Sequence, residues 1–256
     1  MFSFFGQVWD WFADGDHWSG NEGIPRLLGQ HLQVCAAAML VALLVALPIG
    51  LGLGHLRKGG AVAVNVANIG RAIPSFALLI IGVQVWGIGD PDPPFGWVGS
   101  LPTWVCLVAL ALPPMLANAY VGMSQVDDDV REAAAGMGMR GSEVLRKVEL
   151  PMAMPVVMAG VRTAAVAVVA TATLAAITGF GGLGRYVWDG IKQQDDVKLF
   201  AGALLVALLA IVVELALAGL QRLLVSPGIR RSGKVPRRGP RVGVSRSSAA
   251  HGAPGT

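Results

Sequence analysis

Charge is scarce in this sequence. Only 14% of its 256 residues are Asp, Glu, Lys or Arg, against 54% hydrophobic. That leaves too little polar surface to cover a soluble globule of this size. Cysteine is almost missing as well. Cys35 and Cys106 both fall in apolar runs, where a small buried hydrophobe is the expected role and neither a disulfide nor a metal site is indicated. The four histidines, His17, His31, His55 and His251, stand near no cysteine and no paired carboxylates, so nothing supports hydrolytic or metal chemistry, and neither a cofactor nor a nucleic-acid partner is expected. The start, Met1-Phe2-Ser3-Phe4-Phe5, lacks a basic region ahead of a short apolar core, so no cleaved secretory signal is expected there.

What the sequence has instead is long apolar runs. A helical crossing needs roughly 20 mainly apolar residues. Five runs qualify, at about 32–56, 61–88, 104–123, 155–180 and 197–224. They are unbroken rather than alternating with period two, so helices are expected, because in lipid every backbone N–H and C=O must be satisfied within the segment. The expected fold is an all-α polytopic bundle. The second run holds Asn65, Asn68, Arg71 and Pro74, which predicts a kink at Pro74 or a first half lying along the surface.

Five crossings put the ends on opposite sides. Arg57 and Lys58, then Arg131, Arg140, Arg146 and Lys147, then the eight basic residues from Arg222 to Arg246 fall on one side. Only Arg26, Arg185, Lys192 and Lys198 fall on the other. The basic side is expected to be cytoplasmic, with the N-terminus outside. All seven tryptophans, at 9, 11, 18, 86, 97, 104 and 188, belong to the outer side of this arrangement, as an interfacial belt would place them. Residues 1–31 then form an aromatic and acidic outer segment, either an interfacial helix or a partly ordered leader. Residues 32–224 form the membrane domain, and 225–256, rich in Gly, Ser, Pro and Arg, form a disordered basic tail.

The long connection on the basic side, Ser124–Pro151, reads as two short helices. Asp127, Asp128 and Asp129 suit a helix N-terminus, Gly138 suits the left-handed residue that ends it, Ser142 is the expected cap of the second helix, and Leu150-Pro151 its expected end. As a pattern it is Glu132-Ala133-Ala134, three residues, Gly138, nine residues, then Val148-Glu149-Leu150-Pro151. This resembles the EAA loop of ABC importer permeases, in its usual place before the penultimate span. Further segments resemble the osmoprotectant branch of that family, whose substrates include glycine betaine, carnitine and choline. They are Gly70-Arg71-Ala72-Ile73-Pro74-Ser75, Ala111-Leu112-Pro113-Pro114-Met115-Leu116, Ala159–Val166, Ala170–Ala176 and Gly179-Phe180-Gly181-Gly182-Leu183-Gly184. The likeness runs from about Leu32 to Leu224.

The resemblance implies a type I ABC importer permease, itself non-catalytic, in the bacterial inner membrane. Its implied partners are a separate ABC ATPase, a second permease copy, identical or paralogous, an extracytoplasmic substrate-binding protein and membrane lipid. It also implies that Glu132, Ala133, Ala134, Gly138, Val148, Leu150 and Pro151 dock on the ATPase.

Three glycine patterns are decoys. Gly136/Gly138/Gly141 and Gly179/Gly181/Gly184 follow no strand, and Gly228–Lys234 has Val235 where a metal-binding hydroxyl is needed. Arg71, Arg162 and Glu214 fall inside spans, where a charge demands a partner or a water-lined cavity. An Arg–Glu pair locking two helices and a functional site are both open readings. A secondary transporter or channel without an ATPase is the rival function, and it predicts repeated halves that the sequence does not show.

Overall fold

The computed structural model describes residues 2–72, 74–86 and 101–225, without the side chains of Phe2, Val64, Ala67 and Arg71. The basic tail beyond Val225, Trp97 and the side chain of Arg71 therefore lie outside the described residues. Among the described residues there are α-helices and short 3-10 or π turns, and no strand.

An amphipathic helix opens the chain, α1 (Phe2–Ala13), followed by a 3-10 turn at Gly15–Trp18. The last carbonyls of α1 have no helical partner of their own. The rings that follow supply one: His17 Nδ1 donates to Trp11 O at 2.9 Å and Trp18 Nε1 to Phe12 O at 2.8 Å. This segment packs on the end of a span as well as being aromatic. Phe4 and Phe5 meet Phe200 edge-on, at 5.5 and 6.1 Å between ring centres, and Trp11 meets Tyr186 at 5.3 Å.

The first long helix, α2 (Ile24–His55), begins with Pro25 in its first turn, about two turns earlier than the hydropathy suggests. It is followed by α3 (Gly60–Ala72) and α4 (Ser75–Trp86), the two halves of the expected second span. Their axes meet at 82°, sharper than a kink. Pro74 has no N–H to donate and its ring disfavours helix at the residue before it, so the break falls there. Next come α5 (Leu101–Ser124), α6 (Asp128–Gly136), α7 (Gly141–Val144), a π turn at Leu145–Glu149, α8 (Leu150–Thr171), a 3-10 segment at Ala172–Thr178, α9 (Gly184–Gln193) and α10 (Asp196–Leu224). Among the described residues four stretches are long and apolar enough to cross a membrane, and the bent α3–α4 pair makes a fifth if it counts as one crossing.

At the centre lies α5, packed against α2, α3, α4 and α8, with α10 on the far side of α8. Small residues let the backbones approach. Ala38, Ala42, Ala46, Gly50 and Gly54 recur every fourth position of α2, all buried. A Cβ on Gly50 would lie 2.7 Å from the carbonyl oxygen of Leu116, and one on Gly54 would lie 2.9 Å from that of Tyr120. Gly160 of α8 approaches Pro114 in the same way. In lipid, where apolar surface gains little by leaving its solvent, such close approach is the main source of helix affinity. Both cysteines are free and buried, as expected of small core residues.

Candidate functional site

The connection between α5 and α8 folds as the two expected helices, but it joins α8 differently. Asp127, extended at φ −60° and ψ 136°, accepts the N–H of Asp129 at 3.0 Å and so caps α6, with Asp128 and Asp129 in the first turn against the positive end of its dipole. At the other end Gly138 takes φ +86°. Its N–H reaches Ala135 O at 2.9 Å, and Met139 N–H reaches Ala134 O at 3.2 Å, the paired closure of a left-handed helix stop.

The second helix departs from expectation in two ways. Arg140 holds the cap position, not Ser142, and its N–H donates to Glu143 Oε2 at 3.0 Å. Glu143 also accepts from Lys147 Nζ at 2.9 Å, and chiefly this lysine, with the Arg140 N–H second, holds its carboxyl below the usual carboxylate range. Further on, Leu150-Pro151 does not end the helix. The chain widens into the π turn, where Leu150 N–H bonds Leu145 O, and continues directly as α8 with Pro151 in its first turn. A proline is tolerated there because the wider turn leaves no four-residue bond for it to complete.

The resulting pair is anchored on one face and open on the other. Ala134 and Val144 are buried and Val148, Leu150 and Pro151 are half-buried, whereas Glu132, Ala133 and Gly138 are exposed. Two apolar side chains join the open face, Val130 at 37% exposure and Met137 at 73%. The anchor is ionic. Arg57 Nη1 donates to Asp128 Oδ2 at 2.5 Å and its Nη2 to Val126 O at 2.9 Å. Deeper in, the carboxylate of Glu149 is only 1% exposed. Its Oε2 lies 2.6 Å from His55 Nδ1 and its Oε1 3.1 Å from Arg131 Nε. Nothing in the sequence marks Glu149 for burial, since an acid between two motif positions gives no such sign until His55 is known to face it.

The charges within spans form a second cluster. Arg162 of α8 meets Glu214 of α10 through Nε at 2.9 Å and Nη2 at 2.5 Å, and its Nη1 donates to Gln221 Oε1 at 2.9 Å. Gln221 in turn donates to Pro155 O at 3.3 Å. Because α8 begins at Leu150, Arg162 sits about 18 Å along it, further from the helix start than the apolar run alone suggests. The pair is about one third exposed, at 32% and 35%, on a groove of roughly 650 Å³ walled by Ala159, Thr163, Val166, Ala170 and Ile211. The geometry is that of a helix lock with every guanidinium nitrogen engaged. The α6–α7 connection and the Arg162–Glu214 pair are thus two separate places. No group of His, Cys, Asp and Glu suited to a metal occurs among the described residues.

Comparison with known proteins agrees with this architecture. Residues 38–227 match the family described as binding-protein-dependent transport system inner membrane component. The chain is 33% identical over 202 residues to the glycine betaine/carnitine/choline transport system permease protein OpuCB of Bacillus subtilis, covering 79% of this chain and 88% of that one. It is 37% identical to the osmoprotectant import permease protein OsmY of Salmonella typhimurium, covering 75% and 78% respectively. Among solved structures, an inward-facing form of the MetNI methionine ABC transporter superposes with a TM-score of 0.64 at 20% identity, over 79% of this chain and 96% of that one, a likeness of fold.

Proposed function

The chain belongs to the family of binding-protein-dependent transport system inner membrane components, and from that premise we propose that it forms the path by which an osmoprotectant crosses the membrane in an ATP-driven importer. It is a multi-pass, non-catalytic permease subunit of an ABC importer. The proposal concerns its cargo, its partners and the way it is driven. A small quaternary ammonium compound such as glycine betaine, carnitine or choline is the cargo that the relatives' names suggest. The partners are an ABC ATPase at the basic end, a second permease copy, and a substrate-binding protein at the tryptophan-bearing end. In this orientation the N-terminus is outside and the basic end cytoplasmic.

One observation carries the reading. The α6–α7 pair is capped, hinged and anchored as a folded unit, yet it turns Glu132, Ala133 and Met137 to the outside, a face left exposed among the described residues. We assign Glu132, Ala133, Ala134 and Gly138 to docking on the ATPase, and Val148, Leu150 and Pro151 to the junction that hands its motion to α8. Space is open around Gly138, so a β-branched residue there meets no clash and costs only its strained φ, on the order of 1–3 kcal/mol. Gly138→Val and Glu132→Ala are therefore expected to insert at normal abundance, while uptake and the ATPase stimulation evoked by loaded binding protein fall together. Normal uptake by both variants would remove the pair from the mechanism.

A further inference from the structure

A carboxylate taken out of water persists only if its partners replace the water. Glu149 finds them on two elements that are far apart in sequence, His55 in the last turn of α2 and Arg131 on α6. Arg131 also donates to Met123 O, at the end of α5, at 2.9 Å. The end of α2 and the middle of α6 therefore meet at the Glu149 side chain, which stands in the π turn just before α8 begins, and Arg131 adds the end of α5.

The link to α2 matters most. Backbone continuity already joins the α6–α7 pair to α5 and α8, whereas α2 is tied to it by side-chain bonds from His55, Arg57 and Arg131. Of these, Arg57–Asp128 is exposed and so contributes little, Arg57 Nη2 bonds only the Val126 carbonyl ahead of α6, and Arg131 touches His55 O at 3.5 Å, so Glu149–His55 is the short contact made to a buried carboxylate. From His55, α2 runs about 36 Å back to His31 as one helix. At that far end it is tied again. His31 Nε2 donates to Val169 O at 3.0 Å, and Gln30 Oε1 accepts the N–H of Gly182 at 3.0 Å. Gly182 belongs to the turn after the 3-10 segment, where Gly179 and Gly182 both have positive φ and Gly181 lies so close to Gln30 that a Cβ would collide with it.

We propose that Glu149 is a positioning residue of the transport cycle, clamping α2 to the α6–α7 pair so that displacement of the docked pair moves α2 as a rod and, through Gln30 and His31, the Gly179–Gly184 turn at the opposite end. This rests on the importer reading above. Its consequence is specific. Breaking the clamp leaves docking and ATP hydrolysis in place while separating them from the outer end.

The test uses the complete complex, permease with its ATPase and binding protein in proteoliposomes, and reads solute transported per ATP hydrolysed. Glu149→Gln and His55→Ala, in complexes that still assemble, are each expected to lower that ratio on the order of tenfold with ATPase activity retained. The double variant is expected to be no lower than the lower single, since both break one link. His55 is partly solvated, so its truncation tests the clamp even if Glu149→Gln fails to assemble. An unchanged ratio in His55→Ala, additive losses in the double variant, or transport and hydrolysis declining in parallel would each overturn the proposal. Uptake by the wild-type complex without ATP would instead defeat the importer reading itself.

Discussion

Inside a span, an arginine without a counter-charge is costly, so Arg162 and Glu214 stabilise the bundle mainly by not being alone. With both groups one third exposed, the expected loss from Glu214→Gln is on the order of 1 kcal/mol, read as a lower thermal unfolding midpoint of the purified chain. Exchanging the two, Arg162→Glu with Glu214→Arg, is expected to recover most of it. Continued loss in the exchanged variant would mean that the surroundings, including Gln221 and Pro155 O, hold one charge sign in place. Tyr186 gives a second residue-scale outcome. Burial first, and the nearby Glu22 charge second, push its phenol up to about 12, and its hydroxyl donates to Glu22 O. A folded-state pKa above the unfolded value of about 10 means that this contribution is complete below pH ~10 and is lost as pH rises through about 12. Wild type is therefore expected to lose stability over that alkaline window more steeply than Tyr186→Phe, with thermal unfolding midpoints at each pH as the measurement. Parallel curves would show that the tether carries no such linkage.

At the scale of elements, the α2–α5 seam depends on two backbones touching. Gly50→Val places side-chain atoms against the Leu116 carbonyl, and a loss of 1–3 kcal/mol, on the order typical of overpacking, is expected in thermal stability. An unchanged midpoint would mean that α2 slides without cost. The Asp127 cap and the Gly138 stop are plain in the sequence, because each depends on residues within a turn of itself. The 82° break at Pro74 was legible as a kink but not in its size. Three features were not legible. Proline at 151 signals a helix end, and only the π turn before it explains why α8 runs on, which in turn sets how far along the helix Arg162 lies. Arg140 displaced Ser142 as cap because Glu143 reaches back to it. The burial of Glu149 depends on His55, which sequence proximity does not connect to it.

For the molecule as a whole, the claims still open to experiment are orientation and drive. With Cys35 and Cys106 replaced, single cysteines at exposed Ser19 and Ser142 are expected to react oppositely with an impermeant thiol reagent, Ser19 from outside. Labelling of both from one side would break the assignment of the basic end to the cytoplasm. The most direct measurement of the central claim is uptake of labelled glycine betaine into proteoliposomes holding the permease with its ATPase and binding protein. Uptake that requires ATP inside the reconstituted system and is indifferent to proton and sodium gradients is the predicted result. Uptake by the permease alone, driven by such a gradient without the ATPase, would contradict it.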